Sequence, residues 1–142
     1  MLNRITESVH RPDAARLLLR LTLGGLMLFH GIHKATHEDS MIFVQNKLLN
    51  AGLPGFISWG VLVGELLCPI LLILGIFTRW SALVVSFTMV MAVYLVYSDR
   101  LFTLAPTGAW IIESAALYFL MGIVIFLQGP GRYSIIKYCA WR

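Results

Sequence analysis

Six polar residues stand out in an otherwise oily chain: His30, His33, Lys34 and His37 in one short stretch, and Glu65 and Glu113 inside two later apolar runs. These are side chains that move protons or hold cations. Imidazole titrates near neutrality, a desolvated carboxylate accepts a proton readily, and an ammonium balances charge. On a helix of about 100° per residue, Lys34 lies roughly 40° from His30, His37 roughly 20° to its other side and His33 roughly 60° away, so the four share one face. Two chemistries suit the set. In one, Glu65 and His30 exchange protons with the head group of a bound ligand while Lys34 and Glu113 orient it and balance its charge. In the other, His30, His33 and His37 with Glu38 or Glu65 ligate zinc or copper, or handle protons without redox chemistry, although the spacing matches no regular metal motif. A third, non-catalytic role also stays open: the buried charges set helix packing in an accessory or assembly subunit.

The elements that must position these groups are membrane helices. A 142-residue chain with 58% hydrophobic residues and a mean hydropathy of +0.80 is too apolar for an ordinary soluble domain and too short for two domains. The runs at residues 17–34, 56–77, 80–97 and 109–127 each approach the ~20 residues that cross ~30 Å of hydrocarbon. The expected fold is an all-α membrane protein: one domain over residues 1–142, a bundle of four transmembrane helices at about 14–35, 56–77, 79–98 and 108–128. Pro12 suits the first turn of the first helix. That helix is not a signal peptide, because Arg20 interrupts it and a His-Lys-His segment stands where a small-residue cleavage site belongs.

Between the first two spans, residues 41–44 and Leu48-Leu49 alternate with Gln45, Asn46 and Lys47 and are followed by Gly52 and Pro54. This pattern predicts a short amphipathic helix on the membrane surface that roofs the polar face. The turn between the second and third spans is read as Thr78-Arg79 alone, which makes those helices antiparallel neighbours.

The net charge of +4 comes from basic residues scattered at the ends of apolar runs, so it signals topology and not nucleic acid. Arg4, Arg11, Arg16, Arg20, Arg79, Arg132, Lys137 and Arg142 fall on one side, against Lys34, Lys47 and Arg100 on the other. Both termini are therefore expected in the cytosol. In that topology Glu65 lies roughly 14 Å below the outer surface, His30 about 6 Å below Lys34, and Glu113 a turn deep. A charge at such depth costs ~2.5–3.5 kcal/mol, so both glutamates should face inward and be paired, with His30 and Lys34 as the natural partners. The GxxxG formed by Gly60 and Gly64 should let the second helix approach a neighbour and seal Glu65 from lipid. Trp59, Trp80, Tyr97 and Trp110 sit near span ends as an aromatic belt. His33, Trp110 and Tyr94, the last one turn deeper than Tyr97, are candidate ligand contacts. Cys68 and Cys139 form no CxxC and no zinc-like spacing, and Cys68 reads as a small buried apolar residue.

Three motifs follow in order along the chain: Phe29-His30-Gly31-Ile32-His33-Lys34, then Gly64-Glu65 with Leu74-Gly75-Ile76-Phe77-Thr78-Arg79, then Gly129-Pro130-Gly131-Arg132-Tyr133-Ser134. By these motifs the chain resembles the DoxX family of small bacterial four-helix membrane proteins. It implies a multi-pass protein of the bacterial plasma (inner) membrane. Family members are commonly labelled oxidoreductases, some of them linked to quinone-dependent sulfur oxidation, oxidative-stress responses or metal-stress operons. An aspartate usual soon after the last motif is replaced by Ile135 and Ile136, so no acid role carries over there. With no CxxC, no CxxCH haem-attachment site and no dinucleotide fingerprint, neither haem nor nicotinamide is expected. A redox role would call on a bound quinone or the cofactor of a redox partner protein. A homodimer is compatible with every reading, and Arg132 reads as an anchor at the cytosolic boundary.

Overall fold

The computed structural model describes residues 11–136. Expectations placed on Arg4, Lys137, Cys139 and Arg142 lie outside the described residues. Within them the chain is helical, and the nearest approach to a strand is an isolated antiparallel bridge between Leu104 and Trp110.

Helix α1 spans Pro12–Thr36, with the proline in its first turn, where the missing N–H costs nothing. Arg20, Leu23, Gly24, Met27 and Gly31 are its buried residues, falling at i, i+3, i+4, i+7 and i+11 on one face of a 3.6-residue helix. His37, in extended backbone, ends it and starts α2, Glu38–Asn50. This is the short helix expected after the first span. Leu48 is its buried residue, Ile42, Phe43 and Leu49 are about half exposed, and Gln45 Nε2 donates to Ser58 Oγ at 3.4 Å.

Helix α3, Gly55–Leu74, is irregular. It opens with a 3₁₀ turn at Gly55–Ile57, widens to a π turn at Val63–Leu67 and returns to α geometry over Cys68–Leu74. Pro69 explains the widening. Its nitrogen cannot bond the carbonyl four residues back, that of Glu65, and its ring crowds that oxygen. The Cys68 N–H reaches Val63 O instead, and the helix accommodates an extra residue there. Gly75, at φ 75°, closes α3, with Ile76 N–H bonded to Leu71 O at 2.9 Å.

Helix α4 begins at Thr78, so residues 75–77 form the turn and Thr78-Arg79 belongs to the helix, not to the connection. It runs to Tyr97 and continues in a 3₁₀ turn, Ser98–Arg100. Helix α5, Glu113–Gln128, is 16 residues long, about 24 Å at 1.5 Å per residue. It starts later than expected because residues 109–111 fold back on the preceding loop, with Ala105 N–H to Ala109 O at 2.8 Å and Ile111 N–H to Thr103 O at 3.2 Å.

Among the described residues three helices are long and apolar enough to cross a membrane: α1, α3 and the continuous Thr78–Arg100. Their interior contacts Leu23, Met27, Cys68, Leu72, Val85, Met89 and, from α5, Ala115 and Ile125. Helices α4 and α5 form the most extensive pairing, made close by Gly122, where a Cβ would strike Ser86 Oγ. Ser86 Oγ donates to Phe119 O at 3.2 Å. The outward faces carry Phe29, Trp59, Phe87 and Leu127, each more than 60% exposed. So much exposed apolar surface is intolerable in water and is what a lipid-facing bundle presents.

Arg20 departs from the charge reading. Rather than marking an aqueous boundary it is fully buried, donating to Leu72 O at 3.4 Å and also to Tyr133 O. The last carbonyls of a helix lack intrahelical partners. At the end of α3, Arg20 serves one, and Ile135 N–H serves Leu74 O at 3.2 Å. A Cβ on Gly75 would collide with the Arg20 guanidinium, so that glycine is required by both its φ and its neighbour.

Candidate functional site

The π turn places Glu65 at the centre of the bundle. Its residue is 2% exposed, and its Oε1 accepts a 2.5 Å hydrogen bond from Lys34 Nζ, an ion pair in which the lysine side chain is 25% exposed. The approach of α1 is possible because position 31 is glycine: a Cβ there would overlap the Glu65 carbonyl, the one that Pro69 leaves without its usual helical donor. On the opposite side Gly64 abuts Thr88 Oγ1 of α4, while Gly60 faces open space. The expected GxxxG contact is therefore made by one glycine of the pair.

A cavity of 390 Å³ opens beside the ion pair, walled by all of α1–α4. His30, His33 and Lys34 come from α1, Phe43 and Lys47 from α2, Glu65 from α3 and Thr88 from α4. The remaining wall is largely aliphatic, through Val44, Val61, Met91 and Leu95. A second space of 260 Å³ shares His30, Lys34, Phe43 and Glu65 and extends toward Tyr97, Ser114 and Tyr118. His30 meets the Tyr118 ring edge-on, centroids 6.0 Å apart. Glu65 Oε2 is buried and, among the described residues, has no hydrogen-bond partner. A buried acceptor without a donor is costly, about 1–3 kcal/mol and more when charged. An apolar slot with an orphaned carboxylate oxygen and an ammonium at its edge is suited to an amphiphile whose head group carries a hydroxyl or N–H donor.

The structure gathers part of the expected set. His30, His33, Lys34 and Glu65 line one cavity. Glu113 is exposed at the first turn of α5, is absent from the walls of both cavities, and stands where a carboxylate favours the helix dipole. Tyr94 is 57% exposed on the outer surface, and Tyr97 lines the second space in its stead. Trp110 is 41% exposed and its Nε1 donates to Leu101 O at 2.6 Å, closing the loop before α5.

The histidines do not converge as ligands. His33 and His37 stack with centroids 4.2 Å apart, His37 Nδ1 lies 3.0 Å from His33 O, and Glu65 is engaged by Lys34. Among the described residues no group of three His, Cys, Asp or Glu side chains is disposed to hold a metal ion. Sequence reasoning passed over Gly31, Phe43, Thr88 and Tyr118. A usable signal existed in Pro69, four residues after Glu65, which marks where α3 must deform.

An all-helical bundle with apolar outer faces and one buried ion pair beside an internal cavity defines an integral membrane protein with a polar interior site. More narrowly, the chain belongs to the DoxX family, whose model matches residues 15–98. That segment carries α1 through α4 and hence His30, Lys34, Glu65 and Thr88, whereas the Gly129–Ser134 motif lies beyond it. An uncharacterized protein of Haemophilus influenzae is 28% identical over 123 residues, covering 84% of this chain and 79% of the relative. An uncharacterized membrane protein of Mycobacterium tuberculosis is 30% identical over 131 residues, covering 84% and 77%. No solved structure matches the chain.

Proposed function

We propose that the protein is a multi-pass inner-membrane component, both termini cytosolic, that binds a quinone-type amphiphile beside Glu65 and exchanges protons with its head group. The observation that carries this reading is the orphaned, buried Glu65 Oε2 at the edge of an apolar cavity. A quinol hydroxyl supplies the donor that this oxygen lacks. Lys34 Nζ holds the other carboxylate oxygen, and in this reading His30, which lines the cavity and is exposed, relays the proton onward. Oxidation of a quinol releases two protons and two electrons. Glu65 and His30 accept the protons in this scheme, and the electrons pass to a redox partner protein, because the sequence contains no recognised redox motif. Glu113 and Tyr94 have no assigned contact in this scheme.

The test is mass spectrometry of an organic extract of the mildly solubilised protein, wild type against Glu65→Gln. Quinone near one per chain, absent from the variant, is the expected result. Equal background in both would remove the quinone reading and leave the ion pair with a packing role.

A further inference from the structure

At the other end of α1 from Lys34, a separate cavity of 480 Å³ is lined by Asp13, Arg16, Arg79, Arg132, the last residue of α5 and the loop at residues 129–131. We propose that this cavity binds a phosphate group. Among the described residues its wall carries three guanidiniums against one carboxylate. That carboxylate is already engaged, Asp13 Oδ1 accepting from Arg16 NH1 and from the Arg132 backbone N–H, both at 3.1 Å. Among the described residues Arg79 Nε is buried with no acceptor, so a donor of the cluster is left unmatched there.

The loop is shaped around the arginines. Gly129 and Gly131 both have positive φ, 74° and 75°, and a Cβ on them would lie 3.3 Å from Arg79 NH2 and 3.1 Å from Arg16 Cδ respectively. The amino ends of α1 and α4 meet the carboxyl ends of α3 and α5 here, so helix dipoles largely cancel and the guanidiniums decide the sign. Planar, permanently charged guanidinium groups match phosphate oxygens in pairs.

Leu18 of α1, Phe77 and Trp80 around the α3–α4 turn and Leu127 of α5, all more than half exposed, give this end of the bundle an apolar and aromatic surface. The cavity therefore sits at head-group level, where basic pockets between membrane helices hold lipid phosphates. The shared chemistry is a phosphate group, borne by an anionic phospholipid or free in solution.

Thermal unfolding of the full chain separates the sources. In detergent, inorganic phosphate is titrated against chloride of equal ionic strength; in vesicles, phosphatidylglycerol mixed with phosphatidylcholine is compared with phosphatidylcholine alone. Saturable stabilisation by inorganic phosphate assigns a soluble anion, and stabilisation only by phosphatidylglycerol assigns a lipid. In either case Arg79→Gln and Arg132→Gln should weaken the response about tenfold, the least expected for losing one charged hydrogen bond. Arg100→Gln, at the far end of α4, should leave it unchanged. Arg132 is exposed, so its variant carries the test if Arg79→Gln fails to fold. No stabilisation by either probe, or an equal response in wild type and Arg132→Gln, overturns the proposal. So does an equal loss in Arg100→Gln.

Discussion

Lys34 and Glu65 are energetically one unit. Removing the ammonium leaves a carboxylate that is 2% exposed without its counter-charge, whereas replacing both partners by apolar groups of similar size removes the penalty. Lys34→Met should therefore destabilise the protein by about 3 kcal/mol, the low end for a buried pair because the lysine is partly solvated. Adding Glu65→Leu to it should recover most of that loss. Thermal unfolding of the single and double variants in one detergent checks this, and a double variant no more stable than Lys34→Met would show that the pair is not a closed electrostatic unit. The pairing was legible in residue types, since a mid-membrane carboxylate needs a cation and His30 and Lys34 were the candidates nearest in register. The choice of Lys34 over His30 was not. It depends on Gly31 letting α1 settle on the Glu65 carbonyl, which aims the longer side chain at the carboxylate and turns His30 toward Tyr118.

At the scale of the element, the π turn in α3 is the device that presents Glu65. Pro69→Ala returns an N–H to the Glu65 carbonyl and lets Val63–Leu67 close into α geometry. One residue of register is about 100° of rotation, enough to swing Glu65 away from Lys34. Total helicity by circular dichroism should barely change, while any amphiphile co-purifying with the wild type falls to background. Unchanged retention would show that the π turn does not aim the carboxylate. Helix α5 teaches a related lesson. Hydropathy marked an apolar run from residue 109, yet Trp110 is drawn into the loop by its bond to Leu101 O and the helix starts at Glu113. Hydropathy measures which residues tolerate lipid, not which carbonyls their N–H groups will find.

At the scale of the molecule, three helices among the described residues have the length to cross a bilayer and α5 has 16 residues. The proposed four-crossing, both-ends-cytosolic arrangement makes α5 a short span completed by its flanking loops. Cysteine variants in a cysteine-free background test it with a membrane-impermeant thiol reagent. Asp99→Cys should label in intact cells, and Arg132→Cys only after permeabilisation. Labelling of both in intact cells would reduce the crossings to three.

The amino-acid sequence by itself determined the solvent, the number of apolar runs and the need of the mid-span Glu65 for a cationic partner, whereas Glu113, expected to face inward as well, is exposed. What it determined follows from composition and periodicity, because lipid selects residue types over whole segments. Only the tertiary structure decided which polar residues met. Glycines at positions 31 and 64 set where helices touch, Pro69 sets how α3 turns, and Arg20, counted along the chain as a boundary charge, is taken inside to bond Leu72 and Tyr133 carbonyls. Those outcomes depend on close approach between segments distant in the chain, and no local pattern encodes the distance at which two backbones will come to rest.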